Sequence, residues 1–288
     1  MRRGAGSGRL AVRDRVVLVT GAASGIGAEV ARQAARAGAR VLAVDVDGPG
    51  VSGLVRSLPG GPHLSATVDV RDPDAVRGAV DRGRDTLGPA GLVFANAGVT
   101  PPTATVAGVG LEDFRRVLDV NLLGVVHTYR ATVDDLVATR GHLHVTGSCS
   151  AFVPGPGGAA YMVSKAGVEQ LVRALRMETA HSGMTVGISL LGMIDTGLAA
   201  ATLDEDPFGR GLDAMLPRVL ARRVAPAAAA RHLLRRARRR SARDVHPWPW
   251  APLQLARGVL PAVDPALARG DRLSTLLADL DARERRSR

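Results

Sequence analysis

The sequence predicts a single doubly wound α/β domain, a Rossmann-like parallel sheet with helices on both faces, followed by a C-terminal extension. Two observations predict it. Short β-branched runs, mostly apolar and nearly continuous, recur along the chain, as parallel strands buried on both faces require. Between and after them lie Ala/Leu/Arg stretches at helical spacing, and that alternation is the pattern of a wound parallel sheet.

Taken in order, VVLVT at 16–20 is the first strand, and a helix at 25–37 follows a glycine-rich turn. RVLAVD at 40–45 is the second strand and residues 63–68 the third, with a helix at 73–87 behind it. GLVFA at 91–95 is the fourth strand, and a long helix is expected over 111–138. A fifth strand at 141–147, a helix at 160–180, a sixth strand at 185–190 and a helix at 226–240 complete the rhythm, with residues 243–246 as a candidate seventh strand. Residues 197–223 show no strand pattern and read as an excursion over one edge. From His246 the chain becomes the Pro-spaced apolar run HPWPWAPLQLARGVLPAVDP. The expected division is a flexible segment at 1–13, one Rossmann-like domain at 14–247 with a lid at about 197–223, and a C-terminal extension at 248–288.

Composition excludes several classes. With 288 residues, 46% hydrophobic and 23% charged, the chain is not collagen-like, disordered or stapled by disulfides. Its one cysteine, Cys149, has no internal partner, which points to a reducing compartment. MRRGAGSGRL carries charge without an apolar core after it, so no signal peptide is expected. No apolar run approaches the roughly 20 residues of a membrane span; the expectation is a cytoplasmic protein, at most membrane-peripheral. The net charge of +11 invites a nucleic-acid reading. However, all but one of the 38 basic residues are arginine, they are scattered, and aromatics make up 3%. A nucleic-acid footprint wants clustering and stacking partners, so none is expected.

After the first strand stands Thr20-Gly21-Ala22-Ala23-Ser24-Gly25-Ile26-Gly27. Glycines there let the backbone turn tightly and approach a pyrophosphate at a helix N-terminus. Asp45 closes the second strand, where a carboxylate can accept hydrogen bonds from ribose hydroxyls and repel a 2′-phosphate. No arginine or lysine lies in the 22–24 loop, which favours NAD over NADP.

Tyr161 and Lys165 are one helical turn apart and share a face. A tyrosine alone is a poor proton shuttle at neutral pH, and an ammonium one turn away stabilises its phenolate. Ser148, at the end of the fifth strand, can hydrogen-bond a substrate oxygen beside that tyrosine. Lys165 is the only lysine, and Tyr161 is one of two tyrosines. Where arginine fills nearly every basic position, a single lysine marks a position that needs a proton relay, which arginine cannot supply. Asn121 is a polar residue inside the long helix, against helix propensity.

The TGxxxGxG spacing, together with Tyr161 and Lys165, resembles the short-chain dehydrogenase/reductase family over about 230 residues. The resemblance implies that Asp69 and Val70 contact the adenine and that Asn96, Ala97 and Gly98 support the sheet and line the cofactor. It implies that Ile194 and Thr196 meet the nicotinamide carboxamide, although Leu191 stands where the family usually has proline. It further implies that Asn121 distorts its helix and holds a water that links Lys165 to solvent. The catalytic group is then Asn121, Ser148, Tyr161 and Lys165, and the cofactor site is Gly21, Ser24, Gly25, Ile26, Gly27, Asp45, Asp69, Val70, Asn96, Ala97, Gly98, Tyr161, Lys165, Ile194 and Thr196. The implied reaction interconverts a secondary alcohol and a ketone. An NADPH-dependent ketoreductase and a non-catalytic dinucleotide sensor are the competing readings.

Cys149 reads as a packed residue, since no base is evident beside it. His142 and His144 alternate on the fifth strand without a third ligand, so no metal site is expected; His181 and His232 read as surface residues. Leu198, Leu203, Phe208, Leu212, Met215 and Leu216 give the excursion an apolar character that suits a lipophilic substrate. Trp248 and Trp250, between prolines and near the 235–240 arginine cluster, suit a lipid interface. Closure over the substrate pocket or a subunit contact is the competing role for this tail. A homodimer through the helices at 111–138 and 160–180, or a homotetramer, is expected.

Overall fold

In the computed structural model, which describes residues 9–286, seven parallel strands form one sheet. They are β1 (Val16–Thr20), β2 (Arg40–Asp45), β3 (Leu64–Thr67), β4 (Ala90–Ala95), β5 (His142–Ser148), β6 (Thr185–Leu191) and β7 (Arg243–His246). Their order across the sheet is β3-β2-β1-β4-β5-β6-β7. The winding reverses between β1 and β4, so the crevice for a ligand opens at the carboxyl ends of those two strands. Successive side chains point to opposite faces, which makes two cores from one strand. Val16 and Leu18 join one core with α3 (Pro73–Leu87), α5 (Gly124–Ala138) and α6 (Ala159–Glu178). Val17 and Val19 join the other with α1 (Gly25–Arg36), α2 (Gly48–Ser57) and α10 (Pro226–Arg238). Burying each such Val or Leu contributes about 1.5–3 kcal/mol.

Several expectations are corrected. The third strand starts at Leu64, after the cis Gly61–Pro62 peptide. The helix α2 was not anticipated: its GPGVSG sequence reads as a loop, but Asp47 caps it by accepting from the Gly50 N–H, and Val51 and Leu54 are buried. The long helix at 111–138 is interrupted. It comprises α4 (Leu111–Leu118), a π-helical turn (Asp119–Leu123) and α5. The excursion is largely helical: α7 (Gly197–Ala199), a π-turn (Ala200–Asp204), α8 (Pro207–Met215) and α9 (Arg218–Ala221). Residues 1–8 of the expected flexible segment lie outside the described residues. Leu10 and Val12 within it are buried, and the Leu10 N–H donates to the Arg238 carbonyl at 2.7 Å.

The tail is the largest departure. It folds into α11 (Ala251–Leu255), α12 (Asp264–Ala268) and the sixteen-residue α13 (Asp271–Arg286). Trp250 is buried against Gly192, so only Trp248 of the indole pair is exposed.

The histidines on β5 serve packing. His144 Nε2 lies 2.9 Å from Ser189 Oγ, and Ser189 Oγ donates to Asp244 Oδ1 at 2.5 Å. With its proton committed to Asp244, Ser189 accepts from His144. His144 Nδ1 must then accept from His142 Nε2 at 3.2 Å, and His142 Nδ1 from Thr185 Oγ1 at 2.8 Å. Arg240 donates to Thr185 Oγ1 at 3.3 Å, so one directed chain of hydrogen bonds runs from guanidinium to carboxylate through two neutral imidazoles. His232 is not a surface residue. It pairs with Asp244 from α10 and stacks on His246 with centroids 4.0 Å apart.

Candidate active site

The glycine loop leaves β1 at the reversal of the sheet. Gly21 has φ +67° and Gly25 φ +53°, values that side chains rarely tolerate. A Cβ at Gly21 would lie 2.8 Å from the Ala97 Cα, and one at Gly27 would run into the Gly21 carbonyl oxygen. Ser24 occupies the N-cap of α1 without a side-chain cap bond, which leaves the first-turn N–H groups of Gly25, Ile26 and Gly27 to face an anion. Asp45 holds this loop from β2. Its Oδ2 accepts from the Ala23 N–H at 2.8 Å and its Oδ1 from the Asp47 N–H at 3.0 Å. One lone pair remains on each oxygen for ribose hydroxyls.

Asn96 ties three strand ends together. Its N–H donates to Thr20 Oγ1 at 3.0 Å, its amide to the Thr20 carbonyl at 3.2 Å, and its Oδ1 accepts from Thr146 Oγ1 at 3.0 Å. The Ala97 N–H also donates to Thr20 Oγ1, at 3.2 Å. Gly98 faces Asn121 Oδ1 and Lys165 Nζ, which a Cβ there would meet at 3.3 and 3.6 Å. The Asp69 carboxylate is held by Arg71, whose guanidinium lies 2.6 Å away and keeps it below the ordinary carboxylate range. Val70 turns inward and packs where a Cβ on Gly124 would lie. Ile194 is buried and bridges to Val224, and the Thr196 methyl lies opposite Gly25. The segment after β6 therefore closes on the glycine loop from the far side.

The four candidate catalytic side chains converge at the carboxyl ends of β4 and β5. Ser148 ends β5 and is hydrogen-bonded to Ser150 Oγ at 3.1 Å. Tyr161 and Lys165 stand in the first two turns of α6, with Lys165 Nζ 5.5 Å from the phenol ring centroid. Burial pushes the Tyr161 phenol above its ordinary value, and a hydrogen bond with Ser148 pulls it back. Burial brings Lys165 down to about 8. Its Nζ donates to the Thr146 carbonyl at 3.2 Å. At pH 7 it is mostly protonated yet can release a proton.

Asn121 is fully buried in the π-turn. Its Oδ1 accepts from the Val99 N–H at 2.8 Å, and its Nδ2 donates to the Val99 carbonyl at 2.9 Å and to Ser164 Oγ at 3.0 Å. Ser164 in turn donates to the Tyr161 carbonyl at 2.7 Å. The extra residue of the π-turn aims Asn121 inward, the use such bulges have at functional sites. Burial raises the Cys149 thiol well above its ordinary value, and its Sγ lies 3.8 Å from the Leu190 carbonyl.

Sequence reading missed Thr20, Thr146, Ser164 and Ser150, which orient the named residues. Thr146 could have been found: two residues before Ser148, it shares that residue's face of β5.

The family described as short chain dehydrogenase matches residues 15–207. The chain belongs to this family of oxidoreductases, whose cofactors are NAD(P). It is 39% identical over 191 residues to 1-deoxy-11-beta-hydroxypentalenate dehydrogenase of Streptomyces exfoliatus, covering 64% of this chain and 69% of that one. It is 34% identical over 193 residues to cis-4-hydroxycyclohexanecarboxylate dehydrogenase of Sinomonas cyclohexanicum, covering 66% and 77%. A short-chain type dehydrogenase/reductase from Mycobacterium marinum, solved by crystallography, superposes with TM-score 0.74 at 28% identity, covering 81% of this chain and 94% of that one. Among the described residues no helix is long and apolar enough to cross a membrane, and no three His, Cys, Asp or Glu side chains group to hold a metal ion.

Proposed function

We propose that the protein is an NAD-dependent oxidoreductase that interconverts a secondary alcohol and a ketone, with a lipophilic substrate. One observation carries this reading: Ser148, Lys165 and Asn121 are buried around a half-buried Tyr161, beside a glycine loop with the shape of a dinucleotide cradle. The fit to the cofactor rests on the same features. Gly21 and Gly27 let the loop pack tightly, because a Cβ at either would strike neighbouring backbone, and Ser24, Gly25, Ile26 and the α1 N-terminus would hold the pyrophosphate. Asp45 would hold the adenosine ribose, Asp69 and Val70 would border the adenine, and Asn96, Ala97, Gly98, Ile194 and Thr196 would line the nicotinamide half. The bound dinucleotide supplies two-electron redox chemistry.

The chain's own residues handle the proton. Tyr161 takes the alcohol proton or returns it to the carbonyl oxygen, while Ser148 donates to that oxygen and holds it in place. Lys165, at about 8, stabilises the phenolate and passes the proton on. Asn121 fixes the backbone at Val99 and completes the relay.

Two relatives support a cyclic secondary alcohol, since both are named as dehydrogenases of hydroxylated ring compounds. Of the lid side chains, Phe208 is spent on packing, whereas Leu198 and Met215 remain exposed for a substrate. Peripheral lipid contact would rest on Trp248, and a homodimer or homotetramer on α5 and α6 with exposed Val137, Val163 and Met177.

The test is a titration with NADH and with NADPH, followed by nicotinamide fluorescence, on wild type and Asp45→Ala. The expected result is tighter NADH binding that weakens at least about tenfold in the variant, or about 1.4 kcal/mol. Preference for NADPH moves the ketoreductase reading to first place, and binding of neither sinks the enzyme.

A further inference from the structure

We propose that Arg283 and Glu284, near the end of the C-terminal helix, determine substrate access and size selectivity by clamping the lid to the loop after β4. This deepens the oxidoreductase reading and rests on it. Arg283 and Glu284 lie beyond residues 15–207, the part of the chain that the family match covers, whereas the groups they grip lie within it.

The loop at 99–109 starts at the catalytic group, because Asn121 grips both backbone groups of Val99. Thr100 Oγ1 lies 3.2 Å from Thr202 Oγ1 of the lid. Farther along, the Ala104 N–H donates at 3.1 Å to the Gly157 carbonyl, four residues before Tyr161. Phe208 of the lid is buried against Gly157, where a Cβ would lie 2.8 Å from its ring. Lid, loop and the approach to α6 thus form one wall over the catalytic group.

α13 holds that wall together from outside. The Arg283 guanidinium donates to Asp206 Oδ2 of the lid at 2.9 Å and to the Thr103 carbonyl of the loop at 3.0 Å. One planar group therefore bridges the two segments whose separation sets the mouth of the site. Glu284 continues the grip. Its Oε1 accepts from the Thr105 N–H at 2.6 Å and its Oε2 from Thr105 Oγ1 at 2.8 Å, with its carboxylate lying flush on Gly108. Leu276, two turns earlier, packs where a Cβ on Gly211 of α8 would lie. These are a charge-assisted bridge and a paired acceptor on partly exposed side chains. Such a clamp is strong enough to hold a gate and weak enough to release it. With it closed, a bulky alcohol must wait for α13 to lift, whereas a small one passes.

The full-length protein is tested as wild type, Arg283→Ala, Asp206→Asn and Glu284→Gln. Asp206→Asn breaks the same bridge while sparing the fold. Its Oδ1 still caps α8 by accepting from the Phe208 and Gly209 N–H groups, and only the ion pair to Arg283 is lost. Hydrogen exchange is followed over 99–109 and 197–216, and kcat/KM is measured for cyclohexanol and for a fused-ring secondary alcohol.

The expected result is at least about tenfold faster exchange in both segments for Arg283→Ala and Asp206→Asn. The fused-ring to cyclohexanol ratio of kcat/KM rises at least fivefold, on the order of 1 kcal/mol, and NADH affinity stays within twofold of wild type. Unchanged exchange overturns the clamp. Faster exchange with an unchanged ratio overturns its role in selectivity. Should wild type oxidise neither alcohol, the oxidoreductase reading fails by that result, while the exchange measurements still decide the clamp.

Discussion

Replacing His144 by glutamine should flatten the acid limb of the protein's stability curve. His144 sits between His142 and Ser189 in the directed chain that ends on Asp244, and it is fully buried. Burial, the largest cause, pushes its pKa down from 6.5 to about 4. A group whose folded pKa is depressed contributes stability above its unfolded pKa and loses it as pH falls through the folded one. For His144 that window runs from about 6.5 to about 4, because the unfolded chain takes up the proton first. At about 1.4 kcal/mol per pH unit, the gap amounts to about 3 kcal/mol. His142, also driven down mainly by burial, adds to the slope in the same direction. Asp244 lies below the ordinary carboxylate range, and its stabilisation is lost only at lower pH. The two effects are therefore separable in pH.

The assay is urea unfolding, followed by tryptophan fluorescence, at several pH values between 7 and 4. Wild type is expected to lose at least about 3 kcal/mol across that range. His144→Gln keeps a donor for Ser189 but does not titrate, so it starts lower and loses about 3 kcal/mol less. General charge repulsion at acid pH acts on both proteins and cancels in the difference. Parallel curves for the two proteins would refute the reasoning, since they would mean that the imidazole is protonated, or solvated, in the native state.

Two further outcomes follow from the site. Gly27→Ala places a methyl group against the Gly21 carbonyl, which as backbone has little room to yield. The strain is on the order of 1–3 kcal/mol, so NADH affinity in a fluorescence titration should fall at least tenfold. Asn121→Ala orphans the Val99 N–H and carbonyl together with Ser164. At about 1–3 kcal/mol for a buried unsatisfied group, its thermal midpoint should drop by several degrees, and turnover should fall more than NADH affinity does.

Much of the catalytic centre was legible because its chemistry is tied to local spacing. Tyr161 and Lys165 share a face at any helix start, and the glycine loop is forced wherever a strand turns sharply into a helix. The sheet was legible for the same reason: VVLVT and GLVFA can be covered only on both faces. The π-turn at Asn121 was legible only as a distortion implied by the family resemblance and not from local spacing, since its side chain bonds to Val99, twenty-two residues away. α2 was missed because Asp47 capping and the burial of Val51 and Leu54 outweigh a glycine-rich sequence. α13 carried a signal in Leu273, Leu276, Leu277 and Leu280, spaced for one helical face, which the prolines before it obscured.

The sequence by itself determined the wound parallel sheet and the spacing that brings the hydroxyl, phenol and ammonium to one end of it. Periodicity and helical phase are properties of neighbouring residues, and they act before any long-range contact forms. Only the tertiary structure decided that His142 and His144 are neutral links in a buried chain, that Trp250 is packed while Trp248 is exposed, and that Arg283 and Glu284 reach back to the loop after β4. Each of these depends on partners between 2 and 180 positions apart. The burial that sets charge and hydrogen-bond direction exists only once the chain has closed on itself.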